Sequence, residues 1–176
     1  GPLLFVIFIN DLPEVIRFSH AFLYADDLKL CSAIKTVGNR LNMQVDIGAV
    51  VDWANAWLLP LCSDKLIHLH VGNRLDNFTY YCGSCAIKQS SVVTDLGVGY
   101  NNNLSYRPHV ESVCKKANSL CAMIFRSFES RDPMLLISLF NVYVRPHLEY
   151  ASPVWSPHMK YDVTSAWFYK AYTLFA

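Results

Sequence analysis

Long hydrophobic runs are missing from this chain of 176 residues. The apolar stretch Leu3 to Ile9 is too short to span a bilayer and has no basic region before it, so neither a signal peptide nor a membrane anchor is expected there. Charge is scarce as well. Only 16% of residues are charged and the net charge is +1, which argues against an autonomous nucleic-acid binder. With 53% hydrophobic residues, the same composition argues against disorder. Paired metal-ligand motifs are also lacking. Cys82-Gly-Ser-Cys85 has zinc-knuckle spacing, but no second cysteine pair and no histidine pair follows it. A tight hairpin turn accounts for it better. Cys31, Cys62, Cys114 and Cys121 are scattered without secretory context, which points to reduced thiols, and His68 and His70 have no third ligand nearby. Nitrogen or sulfur ligation of a metal is therefore not expected. No internal repeat or low-complexity tract is present, and no initiator Met opens the chain, which enters mid-pattern on an amphipathic helix and is expected to be the middle of something larger.

What remains is enough for one or two compact units with a real core, at 20.0 kDa. Charge divides unevenly along the chain. Residues 1–100 hold seven Lys/Arg and nine Asp/Glu, whereas residues 101–176 hold eight and five, so the second part could face a polyanion. The pattern predicts a helix from near Pro2 to around Pro13, strands over Ala21 to Ala25 and Leu28 to Ala33, and an amphipathic helix from Thr36 to Leu58. On that helix Val37, Leu41, Val45, Ala49, Trp53 and Trp57 form the expected buried stripe. Short strands follow at Leu66 to Val71, Phe78 to Tyr81, Ala86 to Ile87 and Val92 to Tyr100. After the polar linker Asn101-Asn102-Asn103 the pattern turns helical, over Pro108 to Phe128, from Pro133 to Tyr143 or beyond with a bend at Pro146, and weakly over Val163 to Phe175. The fold class is α+β.

The chemistry is concentrated in FLYADDLKL, where Asp26 and Asp27 stand between two strand-forming runs. Taken alone, the pair reads as a polar hairpin turn. Two carboxylates held at one tip repel by about 1 to 4 kcal/mol, depending on the effective dielectric. A divalent cation removes that cost, and magnesium prefers carboxylate oxygen. Two such ions about 4 Å apart can activate a hydroxyl and stabilise a leaving phosphate oxygen, provided that carboxylates arrive from more than one segment.

Tyr24-Ala25-Asp26-Asp27 resembles the catalytic box of reverse transcriptases, and the order of its neighbours resembles non-LTR retrotransposons of the jockey-like kind. Gly1-Pro2-Leu3-Leu4-Phe5 and Ile9-Asn10-Asp11-Leu12-Pro13 resemble the helix before the box. Trp53 and Trp57, Ser63-Asp64-Lys65 and His70-Val71-Gly72 resemble the next block, and Asp95-Leu96-Gly97-Val98 resembles the primer-grip hairpin. Ser130-Arg131-Asp132-Pro133, the segment from Val144 to Tyr150, and Val154-Trp155-Ser156-Pro157 resemble the region after the polymerase palm.

The resemblance implies a partial right-hand palm of short antiparallel strands and packed helices over residues 1–100, and a mostly helical thumb over 101–176. It implies that Asp26 and Asp27 bind catalytic magnesium, that Tyr24 and Ala25 lie beside the primer terminus, and that Lys65 gives a proton to departing pyrophosphate. Leu96 and Gly97 would support the primer backbone, and Lys115, Lys116, Arg126 and Arg131 would contact phosphates without reading sequence. The implied partners are an RNA template, a DNA primer and deoxynucleotides, with no membrane, in the nucleus or cytoplasm.

The departures are equally specific. Relatives of that kind have a further metal-binding Asp in a block upstream of the opening glycine, and they have fingers and an endonuclease. Where they carry a Glu-x-x-Gln-Arg-like stretch, this chain reads Ser165-Ala166-Trp167-Phe168-Tyr169-Lys170. Two readings follow: a fragment of an RNA-directed DNA polymerase, or a retroelement remnant that is catalytically inactive, with or without residual nucleic-acid binding. With one carboxylate segment gone, positioning and charge stabilisation both fail, so these residues alone are expected to be inactive.

Overall fold

Pro13 and its polar neighbours split the first expected helix in two. In the computed structural model, which describes residues 2–72 and 78–156, α1 runs Pro2–Phe8 and a 3-10 turn follows at Leu12–Val15. The backbone changes to three-residue hydrogen bonds there, Leu12 N–H to Ile9 C=O at 3.1 Å and Glu14 N–H to Asp11 C=O at 3.0 Å. Proline has no N–H and clashes with a continuing α-turn, so the tighter turn replaces it.

The chain is mixed α+β and divides into two units: Gly1–His68 with Arg74–Ser90, and Leu69–Asn73 with Ser91–Ala176. In the first, β1 (His20–Tyr24) and β2 (Asp27–Cys31) form an antiparallel hairpin with Ala21 opposite Leu30 and Leu23 opposite Leu28. Period-two alternation turns Leu23, Leu28 and Leu30 onto a core of Ile9, Leu12, Val50, Trp53 and Ala54. The long helix α2 (Val37–Ala56) begins in a capping box, in which Asn39 N–H donates to Thr36 Oγ1 and Thr36 N–H donates to Asn39 Oδ1.

Of the stripe the four-residue step picks out, Trp53 is buried and Ala49 half-buried, but the rest is not in the core. Val37, Leu41, Val45 and Trp57 are exposed, and the buried residues are Asp46, Val50, Trp53 and Ala54. These fall at i, i+4, i+7 and i+8, the spacing of one helix face. Apolar residues occur around most of α2, so periodicity alone does not select a face.

Beyond a 3-10 turn at Ser63–Lys65, β3 (Ile67–Leu69) pairs with β6 (Lys88–Ser90), and β4 (Tyr81–Cys82) with β5 (Cys85–Ala86). In the second hairpin Cys82 faces Cys85 across Gly83 and Ser84, which is the tight turn expected from the cysteine spacing. Gln44 on α2 grips its base, donating from Nε2 to the Tyr81 carbonyl and accepting the Tyr81 N–H on Oε1, both at 2.8 Å.

The second unit opens with the antiparallel hairpin β7 (Val92–Asp95) and β8 (Val98–Asn101), which packs against α3 (Arg107–Ser127). After α4 (Pro133–Leu139) comes a π-helical turn, Phe140–Val144, and then α5 (Arg145–Glu149) and α6 (Ser152–Trp155). The bend expected at Pro146 takes this form. Pro146 cannot donate to the carbonyl four residues back, and Arg145 N–H reaches five residues, to Phe140. One cluster of this unit joins Ala117, Ile124, Phe140, Val144 and Leu148, and another joins Val98, Val110 and Trp155. Among the described residues no helix is long and apolar enough to cross a membrane. The helix expected over Val163 to Phe175 lies outside the described residues.

Candidate metal and nucleic-acid site

A two-residue turn presents the carboxylate pair. Tyr24 pairs with Asp27 as the last rung of the β1–β2 ladder, leaving Ala25 and Asp26 to reverse the chain. Ala25 takes a left-handed φ of 51°, which suits the right-handed twist of the two strands but costs a side-chain-bearing residue about 1 kcal/mol. Tyr24, Ala25, Asp26 and Asp27 are all exposed, so the structure brings four of the expected site residues onto one solvent-facing tip.

The hairpin has one face in the core and one in water. On the outer face His20, Phe22 and Tyr24 alternate along β1, opposite Cys31, Lys29 and Asp27 on β2. Phe22 is 57% exposed and Tyr24 66%. Two open rings beside a lysine place aromatic and cationic surface side by side, the groups from which base stacking and phosphate neutralisation are built in general. Reading Tyr24 alone missed Phe22, His20 and Lys29, although alternation from Tyr24 places Phe22 and His20 on its face and alternation from its partner Asp27 places Lys29 there.

Asp46 is the other group missed, and it fixes the approach to the hairpin. Its side chain is 1% exposed, and its two oxygens accept the backbone N–H groups of Arg17 (2.9 Å), Phe18 (3.1 Å) and Ser19 (2.7 Å). A carboxylate in water-excluded surroundings is tolerated when donors surround it, and here three successive amides do so. The chain is thereby held on α2 immediately before β1 begins. The sequence signal was an acidic residue in phase with Val50 and Trp53 on one helix face.

Lys65, at the end of its 3-10 turn, is exposed, and among the described residues no ion pair joins it to Asp26 or Asp27. No group of three or more His, Cys, Asp or Glu side chains gathers among the described residues. The donor chemistry at the tip nevertheless suits magnesium, which commonly takes one or two carboxylates and fills its remaining positions with water and substrate phosphate.

The other expected site residues belong to the second unit. Leu96 and Gly97 form its β7–β8 turn with φ values of 45° and 79°, a tight reversal with two left-handed residues. The Tyr150 hydroxyl donates to the Leu96 carbonyl at 2.9 Å, and a Cβ on Gly97 would stand 3.2 Å from the Tyr150 ring. Lys115 and Lys116 are exposed on α3. Arg126 donates from Nε to the Ala122 carbonyl at 3.2 Å. Arg131 caps the end of α3, donating to the Phe125 carbonyl at 3.1 Å and to the Phe128 carbonyl, with its guanidinium over the Phe125 ring. Its immediate task is thus to satisfy helix-end carbonyls.

His109 is buried in this unit against the Trp155 ring, 5.1 Å between centroids, and Nδ1 accepts the Gly99 N–H at 3.3 Å. Its Nε2 has no hydrogen-bond partner among the described residues, and burial lowers the imidazole pKa from its ordinary value.

No protein-family model matches the chain, and no solved structure does. The chain is similar to an uncharacterized protein of Caenorhabditis elegans, 34% identical over 68 residues, which are 39% of this chain and 34% of that protein. The matched stretch thus spans about a third of the length of that curated relative.

Proposed function

We propose that these residues are the palm and thumb portion of an RNA-directed DNA polymerase of the non-LTR retrotransposon kind. The observation that carries the reading is the β1–β2 hairpin, in which two adjacent carboxylates stand at an exposed tip while the strands behind them present His20, Phe22 and Tyr24 to solvent. Asp26 and Asp27 would hold magnesium, which when bound supplies charge stabilisation at the phosphates of an incoming deoxynucleotide. The remaining tasks fall to the chain itself. Phe22 and Tyr24 offer stacking surface to the primer–template end, and the Asp46 anchor keeps the hairpin root fixed so that the tip does not drift from the reacting groups. Leu96 and Gly97 support the primer backbone, Lys65 faces the leaving pyrophosphate, and Lys115, Lys116, Arg126 and Arg131 neutralise phosphates. The partners are an RNA template, a DNA primer and deoxynucleotides, and the setting is nuclear or cytoplasmic.

The resemblance itself suggests a catalytically silent state for these 176 residues by themselves, because polymerases of that kind take a further metal-binding Asp from another block. Among those described, no third acidic or imidazole side chain joins the Asp26–Asp27 pair. Positioning of two ions requires ligands from a second segment, so the isolated chain does not extend a primer, and any duplex binding would rest on the Phe22 and Tyr24 rings and on Lys115 and Lys116, because the net charge is only +1. The test is an RNA template annealed to a labelled DNA primer, with magnesium and deoxynucleotides. Salt-sensitive binding without extension is expected. Extension that disappears in Asp26→Ala would overturn the silent state, and absence of binding at low salt would overturn the polymerase reading itself.

A further inference from the structure

We propose that Cys82 and Cys85 form a reversible dithiol–disulfide pair that exchanges with small disulfides of the glutathione type. The two residues are direct partners in the β4–β5 register, so their side chains leave the same face of the ribbon. Ile87 N–H donates to the Tyr80 carbonyl at 2.8 Å, so Cys82 and Cys85, two residues nearer the turn, are also a hydrogen-bonded pair. Cα atoms of such a pair stand about 5.5 Å apart, inside the range of about 4.4 to 6.8 Å that a disulfide spans, and the Cβ atoms close from about 5 Å to about 4 Å as the bond forms. Gly83, with φ of 59°, supplies the left-handed first turn position that keeps the strands in this register. Gln44 fixes the root of the hairpin by holding both backbone groups of Tyr81, and Tyr80 beside it is buried against His68 and Phe78. The thiols therefore face one another on an anchored hairpin.

The two cysteines differ in their surroundings. Cys85 is exposed, whereas Cys82 is half-buried, and burial together with the neighbouring Cys85 raises the Cys82 thiol pKa. Cys85 is accordingly the first nucleophile. Its thiolate attacks one sulfur of oxidised glutathione, breaking that S–S bond and expelling one glutathione thiolate. The Cys82 thiolate then attacks the Cys85 sulfur, forming the Cys82–Cys85 bond and expelling the second glutathione. Two electrons pass from the protein pair to the glutathione disulfide, and the two protons given up by the protein thiols end on two glutathione thiols. Reduced glutathione runs the sequence backwards.

The experiment equilibrates the folded chain with graded ratios of reduced and oxidised glutathione, blocks free thiols by alkylation and maps each cysteine by mass spectrometry. The expected result is a peptide lighter by two hydrogens that contains Cys82 and Cys85, while Cys31, Cys62, Cys114 and Cys121 are still alkylated. Cys82→Ser is expected to trap glutathione on Cys85, and Cys85→Ser to leave Cys82 mostly alkylated. Separate glutathione adducts on both residues of the unsubstituted chain would overturn the proposal. So would a Cys82–Cys85 peptide still fully alkylated when the exposed Cys31 is already oxidised. Both of these outcomes are read on the unsubstituted chain and do not depend on how the serine variants fold.

Discussion

The Tyr150 hydroxyl donates a 2.9 Å hydrogen bond to the carbonyl of Leu96, fifty-four residues earlier in the chain, and its ring lies over Gly97. That contact fastens the tip of the β7–β8 turn to the end of α5, so the turn depends on a side chain far from it in sequence. Removing only the hydroxyl in Tyr150→Phe is expected to cost about 0.5 to 1.5 kcal/mol. Gly97→Ala is expected to cost more, because φ is 79° and the added methyl would press on the ring. Urea unfolding of both variants checks the order, and a Gly97→Ala midpoint equal to that of the unsubstituted chain would contradict the contact.

Asp46 should be the most sensitive polar position of the first unit. Asp46→Ala leaves the Arg17, Phe18 and Ser19 amides without their acceptor in a water-poor setting, and a loss of about 2 to 4 kcal/mol is expected. Asp46→Asn keeps the shape and one accepting oxygen, so a smaller loss is expected. Hydrogen exchange gives a local readout: the Phe18 and Ser19 amides should exchange faster in Asp46→Ala, while amides of the α3 interior remain protected.

Element type was legible in the sequence wherever local chemistry was strong. The Thr36 cap, the hairpin around Asp26 and the prolines opening α3 and α4 each act through adjacent residues, and the strands and helices there fall within a residue or two of expectation. Which face of α2 is buried was not legible. Val37, Leu41 and Val45 are in step with Trp53 as well as Asp46 and Val50 are, and Asp46 is turned inward by the Arg17–Ser19 backbone, a partner distant in sequence. The same holds at the candidate site. The Asp26–Asp27 pair stood out in the local pattern and Tyr24 came from the resemblance alone, whereas the Asp46 anchor and the Tyr150 clasp rest on pairings of residues 27 and 54 positions apart.

His109 makes the second unit sensitive to acid. Burial lowers its pKa below the ordinary imidazole value, because a charge beside Trp155 and Val110 would be poorly solvated. The unfolded chain then takes up a proton more readily than the folded one. Stability is therefore fully present above the unfolded value of about 6.5 and declines as pH falls from there toward the lower folded value. His109→Asn, which keeps an acceptor for the Gly99 N–H, is expected to flatten that decline. Thermal unfolding at pH 7.5, 6.5 and 5.5 on both proteins tests it, and equal slopes would show that His109 is not the group responsible.

On the proposed function, the outer face of the β1–β2 hairpin and the lysines of α3 would each contribute to duplex binding, in distinguishable ways. Phe22 and Tyr24 offer rings, and stacking on a ring gains about 1 to 3 kcal/mol per base, largely independent of salt. Lys115 and Lys116 offer charge, and each phosphate they neutralise releases a counterion, which adds roughly 0.7 to 0.9 to the slope of log affinity against log salt. Phe22→Ala and Tyr24→Ala should therefore weaken binding of an RNA–DNA primer–template by about fivefold to a hundredfold each while leaving the salt slope in place. The double substitution Lys115→Ala with Lys116→Ala should do the opposite, lowering the slope by about 1 to 2 and narrowing its affinity difference from the unsubstituted chain as salt rises. Fluorescence anisotropy between 50 and 300 mM salt separates the two signatures. If all four substitutions changed only the slope, the hairpin face would be acting through charge, and the role assigned to Phe22 and Tyr24 would be wrong.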